Sequence, residues 1–335
     1  VKLLVTGVAG FIGLHTTLRL LAAGHEVVGV DNLNDYYDLR LKQDRLDCLL
    51  PHAGFRFFRQ DIANEKGLAK VFTRTMPERV IHLAAQAGVR YSLQNPMAYV
   101  RSNLVGFASV LEACRHSGVK RLVYASSSSV YGDNARVPFS ERDPVDHPLS
   151  LYAASKRSNE LMAYSYAHLY GLQAVGLRFF TVYGPWGRPD MAPVLFARAI
   201  TEGKIIRVFN HGNHQRDFTY IDDVVSGVVA VCSNEPSADV GTQGARKNVA
   251  GNQAPFGIYN IGNGKPVKLM DFLATLENCL GTKARFEMAD AQPGDVLDTW
   301  ADCGALERDY GYRPDTALAD GMQKFVAWFK DYYKA

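Results

Sequence analysis

Cysteine is scarce in this chain of 335 residues and nowhere closely spaced. Cys48, Cys114, Cys232, Cys279 and Cys303 stand far apart with no C-x-x-C among them, which removes the usual spacing for a zinc site or a disulfide framework. They read as small core residues in a reducing compartment, so the expected setting is the cytoplasm. Long apolar runs are missing as well. No stretch reaches the roughly 20 residues that cross a bilayer, and Val1 to Thr6 reads as a strand rather than a signal peptide, so no membrane partner is expected. An excess of one charge is also lacking. Lys and Arg number 37 against 34 for Asp and Glu, and the basic residues are scattered rather than gathered in a stripe, so no nucleic-acid partner is expected. His82 ends an apolar run with no second ligand pattern, and no metal is expected. What is present is a hydrophobic fraction of 47%, enough for the core of one large or two fused domains.

The first two-thirds alternate short β-rich runs with helical patterns. Strands are expected at Lys2–Thr6, Glu26–Asp31, Arg56–Asp61, Val80–Ala84, Arg121–Ser126 and Ala174–Phe179, with helices near Phe11–Ala23, Glu65–Thr75, Met97–Ser117 and Leu151–Tyr170. That alternation predicts an α/β fold with a doubly wound parallel sheet covered on both faces, binding ligands at the carboxyl ends of its strands. After Phe180 the rhythm loosens. Thr181 to Asp190 is rich in Gly and Pro, 222–233 looks helical and 241–255 is a polar loop; strands at 258–261 and 283–288 and helices at 269–280 and 318–333 suggest a smaller C-terminal α/β lobe. The expected division is a nucleotide-binding domain over 1–180, rejoined by about 205–235 and 257–263, and a mainly substrate-binding lobe over 181–335. The run from Leu39 to Leu46 is charged at helical spacing and reads as a solvated face.

Gly7-Val-Ala-Gly10-Phe-Ile-Gly13 joins the first strand to the first helix. Glycines there permit a tight turn and let a pyrophosphate approach the backbone and the helix N-terminus. The spacing is G-x-x-G-x-x-G, and its place between strand and helix strengthens a motif that alone is weak. Phe11 and Ile12 lie inside it and count with Gly7, Gly10 and Gly13 as candidate cofactor contacts. Asp31 ends the second strand about twenty residues on, where a carboxylate accepts bonds from the ribose hydroxyls of NAD and repels the extra phosphate of NADP. The competing reading is an Asp that caps a turn before Asn32. Asp61 and Ile62, at the end of the third strand, are candidates to contact the adenine.

Ser126 to Ser129 leaves an apolar strand, and Tyr152-Ala-Ala-Ser-Lys156 opens a helix. Tyr152 and Lys156, four residues apart, share one helical face, which lets the ammonium favour the phenolate. A free tyrosine titrates near pH ~10, and bringing it towards ~7 takes roughly 4 kcal/mol. A nearby oxidised nicotinamide would add to the effect of the lysine, so the pair suggests a base working beside NAD.

With these residues in this order the chain resembles the extended short-chain dehydrogenases/reductases of Rossmann type, and more closely the NAD-dependent nucleotide-sugar epimerases of the UDP-glucuronate 4-epimerase branch. The likeness runs through His82-Leu-Ala-Ala-Gln-Ala-Gly-Val-Arg90, Ser126-Ser-Ser-Ser-Val-Tyr-Gly132, the run from Arg178 to Met191, Arg216-Asp-Phe-Thr-Tyr-Ile-Asp-Asp223 and Gln292-Pro-Gly-Asp-Val296. The resemblance implies a tightly held NAD, with Leu83, Ala84, Ala85 and Asn32 as further contacts and Lys156 on the nicotinamide ribose. It implies that Tyr152 takes the proton of the sugar 4-hydroxyl while Ser127 holds the 4-oxygen. Arg216 is implied at the phosphates of a UDP-sugar, Asp295 at the uridine ribose, and Arg90 as a further substrate contact. Gln292 departs from the arginine of the wider epimerase family but agrees with the uronate branch. The helices near Met97–Ser117 and Leu151–Tyr170 resemble the pair that forms a homodimer interface in the superfamily.

Relatives that dehydrate or decarboxylate the same 4-keto intermediate carry acids after the position of Ser127. Here Ser128 and Ser129 stand there, so neither diversion has an obvious agent. A uronate oxidised at C4 is a β-keto acid, and its carboxylate must be held out of alignment for loss of carbon dioxide. Ser128, Ser129, Thr181 and Arg188 are the candidates for that task. The favoured pair is therefore UDP-glucuronate and UDP-galacturonate. Alternatives are a UDP-glucose or UDP-N-acetylhexosamine 4-epimerase, a net NAD-dependent UDP-sugar dehydrogenase or reductase, and a non-catalytic NAD-sensing protein.

Overall fold

The computed structural model describes residues 1–134, 136–235, 254–290 and 298–334. The first half alternates β1 (Lys2–Thr6), α1 (Phe11–Ala22), β2 (Glu26–Asp31), α2 (Leu39–Asp47), β3 (Phe55–Arg59), α3 (Glu65–Thr75) and β4 (Arg79–His82). Two short turns of helix, α4 (Tyr91–Gln94) and α5 (Pro96–Tyr99), lead through a π-helical segment, Val100–Val105, into α6 (Gly106–His116), followed by β5 (Arg121–Ser127), α7 (Leu151–Tyr170) and β6 (Gln173–Phe179). The rest comprises β7 (Thr181–Tyr183), α8 (Ala192–Thr201), β8 (Ile205–Val208), β9 (Gln215–Tyr220), α9 (Ile221–Ser233), β10 (Phe256–Ile261), β11 (Pro266–Lys268), α10 (Leu269–Leu280), β12 (Arg285–Met288), β13 (Asp298–Thr299), α11 (Gly304–Tyr310) and α12 (Leu318–Tyr333).

Seven strands form one parallel sheet in the order β10-β6-β5-β4-β1-β2-β3. Leu3, Leu4 and Val5 of β1 are all buried, the continuous apolar run required of a strand covered on both faces. The order reverses between β1 and β4, and the crevice beyond their carboxyl ends is where a doubly wound sheet takes its ligand. β9 centres a second sheet with β7, β11 and β13, while β8 pairs with β12. Of the stretch 205–235, β8 joins β12 rather than the central sheet. Return to the central sheet falls to α9, which packs on α1 and β5, and to β10, which extends the sheet beside β6.

Several expected bounds shift. β3 stops at Arg59 and β4 at His82, so Asp61 and Ala84 lie in the turns that follow. The single helix expected over Met97–Ser117 is divided by the π-helical segment. Within the Gly- and Pro-rich stretch from Thr181 to Asp190, Thr181–Tyr183 pairs in register with Phe218–Tyr220. The polar loop at 241–255 falls largely outside the described residues.

α2 corrects the reading of Leu39–Leu46 as a solvated face. Leu41, Lys42, Arg45 and Leu46 are buried, and only the side of Leu39, Arg40, Gln43 and Asp47 meets solvent. The cations are accepted because carbonyls replace water around them: Arg45 donates to Ala9 O at 3.1 Å, Trp186 O at 2.7 Å and Gly187 O at 3.3 Å, and to the Tyr37 hydroxyl at 2.6 Å. Lys42 donates to Asn34 O at 2.7 Å. From the other end of the chain, Tyr332 of α12 donates to Asp44 of α2.

Candidate active site

The glycine loop turns tightly against the end of β4. Gly7 has φ +72°, and a Cβ there would lie 2.7 Å from Ala84 N and 2.8 Å from Ala84 Cα, so the crossing of the loop over the β4 turn excludes a side chain. Gly10 caps α1 without a side chain, and the first bond back into the turn is Leu14 N to Gly10 O at 3.0 Å. The amides of Phe11, Ile12 and Gly13 therefore belong to the helix terminus that favours an anion.

Asp31 makes the turn cap weighed for it and a second bond into the glycine loop. Its Oδ1 accepts from Leu33 N at 2.9 Å, the turn-capping role, while Oδ2 accepts from Ala9 N at 3.1 Å and so fixes the glycine loop. Burial pushes its carboxyl above the ordinary range, against the pull of the Leu33 amide and Lys42. Asp61 accepts from Ala63 N at 2.8 Å and faces Asn32 Nδ2 at 3.4 Å. Ile62 is buried and would be 2.7 Å from a Cβ on Gly106, so its side chain is committed to packing on α6. Leu83, Ala84 and Ala85 follow β4 half-buried, with Ala84 N donating to Thr6 Oγ1 at 3.2 Å. His82 joins the same hydroxyl at 2.7 Å, and burial, reinforced by Lys156, pushes its imidazole down to about 3, a neutral core histidine. Among the described residues no three His, Cys, Asp or Glu come together as a metal site would need.

The catalytic candidates converge at the carboxyl end of β5. Ser150 caps α7 by accepting from Ala153 N at 3.1 Å, and Gly171 ends it with φ +68°. Tyr152 thus sits in the first turn, where the helix dipole favours negative charge. Burial raises the pKa of its phenol, opposed by a hydrogen bond with Ser127 and the charge of Arg188. Lys156 is buried and donates to Ala125 O at 2.9 Å; burial alone brings it down to about 8. Lys156 was expected to lower the Tyr152 pKa, but here Ser127 and Arg188 are the groups that do so. Ser127 also accepts from Ser129 N at 3.2 Å, starting the 3-10 turn Ser128–Tyr131 that leaves Ser128 and Ser129 half-buried beside it.

Thr181 opens β7 half-buried, and Arg188 follows in the turn after that strand, bonded to Asp190. Arg216 lies on β9, donates to Gln215 O at 3.0 Å and faces Val267 and Thr299 in the ladders on either side. The carboxylate of neighbouring Asp217 is engaged by the amides of Asn263, Gly264 and Ala301 and by Thr219. Arg90 is exposed at the start of α4, its guanidinium carbon 6.0 Å from the Phe209 ring centroid. Asp295 and Gln292 lie outside the described residues.

Two groups that the sequence pattern did not single out hold this site together. Asn103, in the π-helical segment, accepts from Gln86 N at 2.8 Å and donates to Gln86 O at 3.0 Å and to Ser155 Oγ at 2.9 Å, while its own carbonyl accepts from Asn159 at 2.6 Å. The π turn breaks the ordinary helical ladder at this point. Glu160 of α7 meets Arg178 of β6 in a buried bidentate pair, Nε to Oε1 at 2.8 Å and Nη2 to Oε2 at 2.9 Å, and also accepts from Ser126 at 2.7 Å. The only signal for Glu160 was its place one turn after Lys156.

A doubly wound parallel sheet with a glycine turn, an acid at the end of β2 and a Tyr-x-x-x-Lys helix beside a serine defines a dehydrogenase-type enzyme built around a dinucleotide. A model of the NAD dependent epimerase/dehydratase family matches residues 3–262, and the chain belongs to that family. It is 51% identical over 333 residues to Protein CapI of Staphylococcus aureus, covering 99% of both chains. It is 45% identical over 335 residues to a probable UDP-glucuronate 4-epimerase of Rhizobium meliloti (strain 1021), covering 99% of this chain and 98% of the relative. The crystal structure of UDP-glucuronic acid 4-epimerase from Bacillus cereus, in complex with UDP-glucuronic acid and NAD, superposes with a TM-score of 0.89 at 33% identity, over 99% of this chain and 100% of that one.

Proposed function

We propose that this protein is a UDP-glucuronate 4-epimerase that interconverts UDP-glucuronate and UDP-galacturonate with resident NAD. The observation that carries the reading is the hydrogen bond of Tyr152 with Ser127, in a strand end flanked by hydroxyls and free of acids at 128 and 129. Gly7, Gly10, Gly13 and Asp31 would hold the dinucleotide with Lys156, the close approach of Gly7 to Ala84 leaving no room for a side chain in that turn. When bound, NAD supplies a reversible acceptor for the C4 hydride. Tyr152 as phenolate takes the proton of the 4-hydroxyl and later returns it, and Ser127 steadies the 4-oxygen. Ser128, Ser129 and Thr181 offer hydroxyls to the uronate carboxylate, and Arg216 with Asp295 is assigned to the nucleotide. The 4-keto sugar turns in the site between oxidation and reduction, and no carboxyl stands where one would promote elimination or loss of carbon dioxide.

The test is the product that purified protein makes from UDP-glucuronate without added NAD, resolved by NMR. UDP-galacturonate with no net build-up of reduced cofactor is the expected result; accumulation of a ketone or of NADH would point to a net dehydrogenase. Thr181→Ala and Arg188→Ala are expected to weaken uronate binding or release a pentose by-product. If both keep full affinity and give no pentose, those two residues do not hold the carboxylate.

We further propose that two copies pair across α6 and α7 in the cytoplasm. Leu161, Leu169 and Tyr170 on α7 are exposed, as are Met97 and Val105 ahead of α6. The five cysteines are free thiols, in keeping with a reducing setting. Among the described residues no helix is long and apolar enough to cross a membrane. Glu at both 161 and 169 is expected to yield a monomer in sedimentation, and a dimer that persists would discard this interface.

A further inference from the structure

Tyr36, Gly88 and Asp190 come from three separate loops and meet at one point. The Tyr36 hydroxyl donates to Asp190 Oδ2 at 3.0 Å, and a Cβ on Gly88 would lie 2.7 Å from the same phenol oxygen. Asp190 also takes one edge of Arg188, Nε to Oδ1 at 3.0 Å and Nη2 to Oδ2 at 2.5 Å. Burial pushes the Asp190 carboxyl up, but Arg188 and Tyr36 outweigh it and hold the group below its ordinary range, so it is ionised. The turn that carries Arg188 is itself fixed, since Arg45 binds the carbonyls of Trp186 and Gly187. Arg188 therefore enters the site with its charge matched and one edge of its fork occupied.

We propose that Asp190 is a specificity-determining positioning residue: by matching the charge of Arg188 and holding its Nε/Nη2 edge, it keeps that edge from closing as a bidentate clamp on the substrate carboxylate, so that a recognised uronate remains free to turn. This rests on the uronate reading above. Epimerisation at C4 requires the keto sugar to present both faces to one cofactor, so each hold on the sugar must be released and remade between oxidation and reduction. A carboxylate locked to a guanidinium by two charge-assisted bonds would be bound more tightly in its resting pose than in the rotating one, which lowers turnover. Bonds from the hydroxyls of Ser128, Ser129 and Thr181 are neutral donors to the same carboxylate and exchange more readily. Asp190 thus balances recognition against rotation, with Tyr36 as its second anchor.

Asp190→Asn separates charge from position. The amide oxygen of that variant still accepts from Arg188 Nε and its NH2 can donate to the Tyr36 phenol oxygen, while Nη2 is released. In the NAD-loaded protein, calorimetry is expected to show affinity for UDP-glucuronate relative to UDP rising roughly tenfold or more. The same variant should turn over more slowly and hold reduced cofactor in the steady state, seen by its near-ultraviolet absorbance. UDP lacks the carboxylate, so its unchanged affinity reports an intact nucleotide site. Asp190→Glu keeps the charge and is expected to hold the wild-type ratio. A ratio that stays level or falls in Asp190→Asn overturns the proposal, and so does a rise that Asp190→Glu shares. A wild-type protein that leaves UDP-glucuronate unconverted sinks the uronate reading itself, which keeps the two failures distinct.

Discussion

Tyr152→Phe is expected to lower turnover by roughly 10²–10⁴-fold, the span that a positioned acid/base group contributes. The ring remains, and with it the edge contact to Tyr99 at 6.1 Å between centroids, so the helix should keep its seat. What disappears is the oxygen that shuttles the 4-hydroxyl proton. Ser127 then has its hydroxyl but no base to work with, and the Lys156 ammonium is directed to Ala125 O. NAD content after extraction and affinity for UDP should match the wild type, because neither depends on the phenol. A variant that retains more than about a tenth of the rate would move the proton transfer to another group, Lys156 first among them.

Glu160→Gln carries the largest expected cost in stability, about 3–5 kcal/mol in urea unfolding, because it strands a buried guanidinium. Arg178 is 2% exposed, and its carboxylate partner is 1% exposed. Arg157 adds a second cation at 3.0 Å from Oε2, and the Tyr131 ring lies 4.8 Å from the Arg178 guanidinium. Replacing both members with apolar residues, Glu160→Leu with Arg178→Met, should recover much of the loss, since the expense lies in the orphaned charge rather than in the missing attraction. A double variant as unstable as the single one would contradict that account. Activity is expected to fall in either case, because Glu160 stands one turn from Lys156 and its bond to Ser126 leads directly into Ser127.

The same pair sets a pH dependence. Burial pushes Glu160 upward, but Arg178, Ser126 and Arg157 together leave its folded pKa below the ordinary value. A depressed carboxyl pKa adds stability that is full above the unfolded value near ~4.3 and is lost as pH falls through the folded one. The wild type should therefore lose stability in the acid range by a slope that Glu160→Gln lacks.

Local signals made the first turn and the start of α7 legible. The glycine turn, Asp31 and the Ser150-capped helix with Tyr152 and Lys156 each declare themselves within a few residues, and the first two lie at neighbouring strand ends. Asn103 was not legible, because a π turn shifts the helical register and its partners, Gln86, Ser155 and Asn159, lie 17 to 56 residues away. Strands as short as Thr181–Tyr183 carry no usable period, so the second sheet was hidden where the alternation loosens after Phe180. α2 was misjudged because charged residues at helical spacing ordinarily face water.

Arg45 shows why such a residue escapes comparison by side chain. Three of its four acceptors are main-chain oxygens, at Ala9, Trp186 and Gly187, so one cation fastens the cofactor turn to the loop of Arg188 without asking anything of the residue types at the far end. Substitution at 186 or 187 can proceed while the tie survives, and correlated changes between those positions and 45 would leave no trace. Dependence between the two loops is written in the path of the backbone, and a change at 45 would be felt at both.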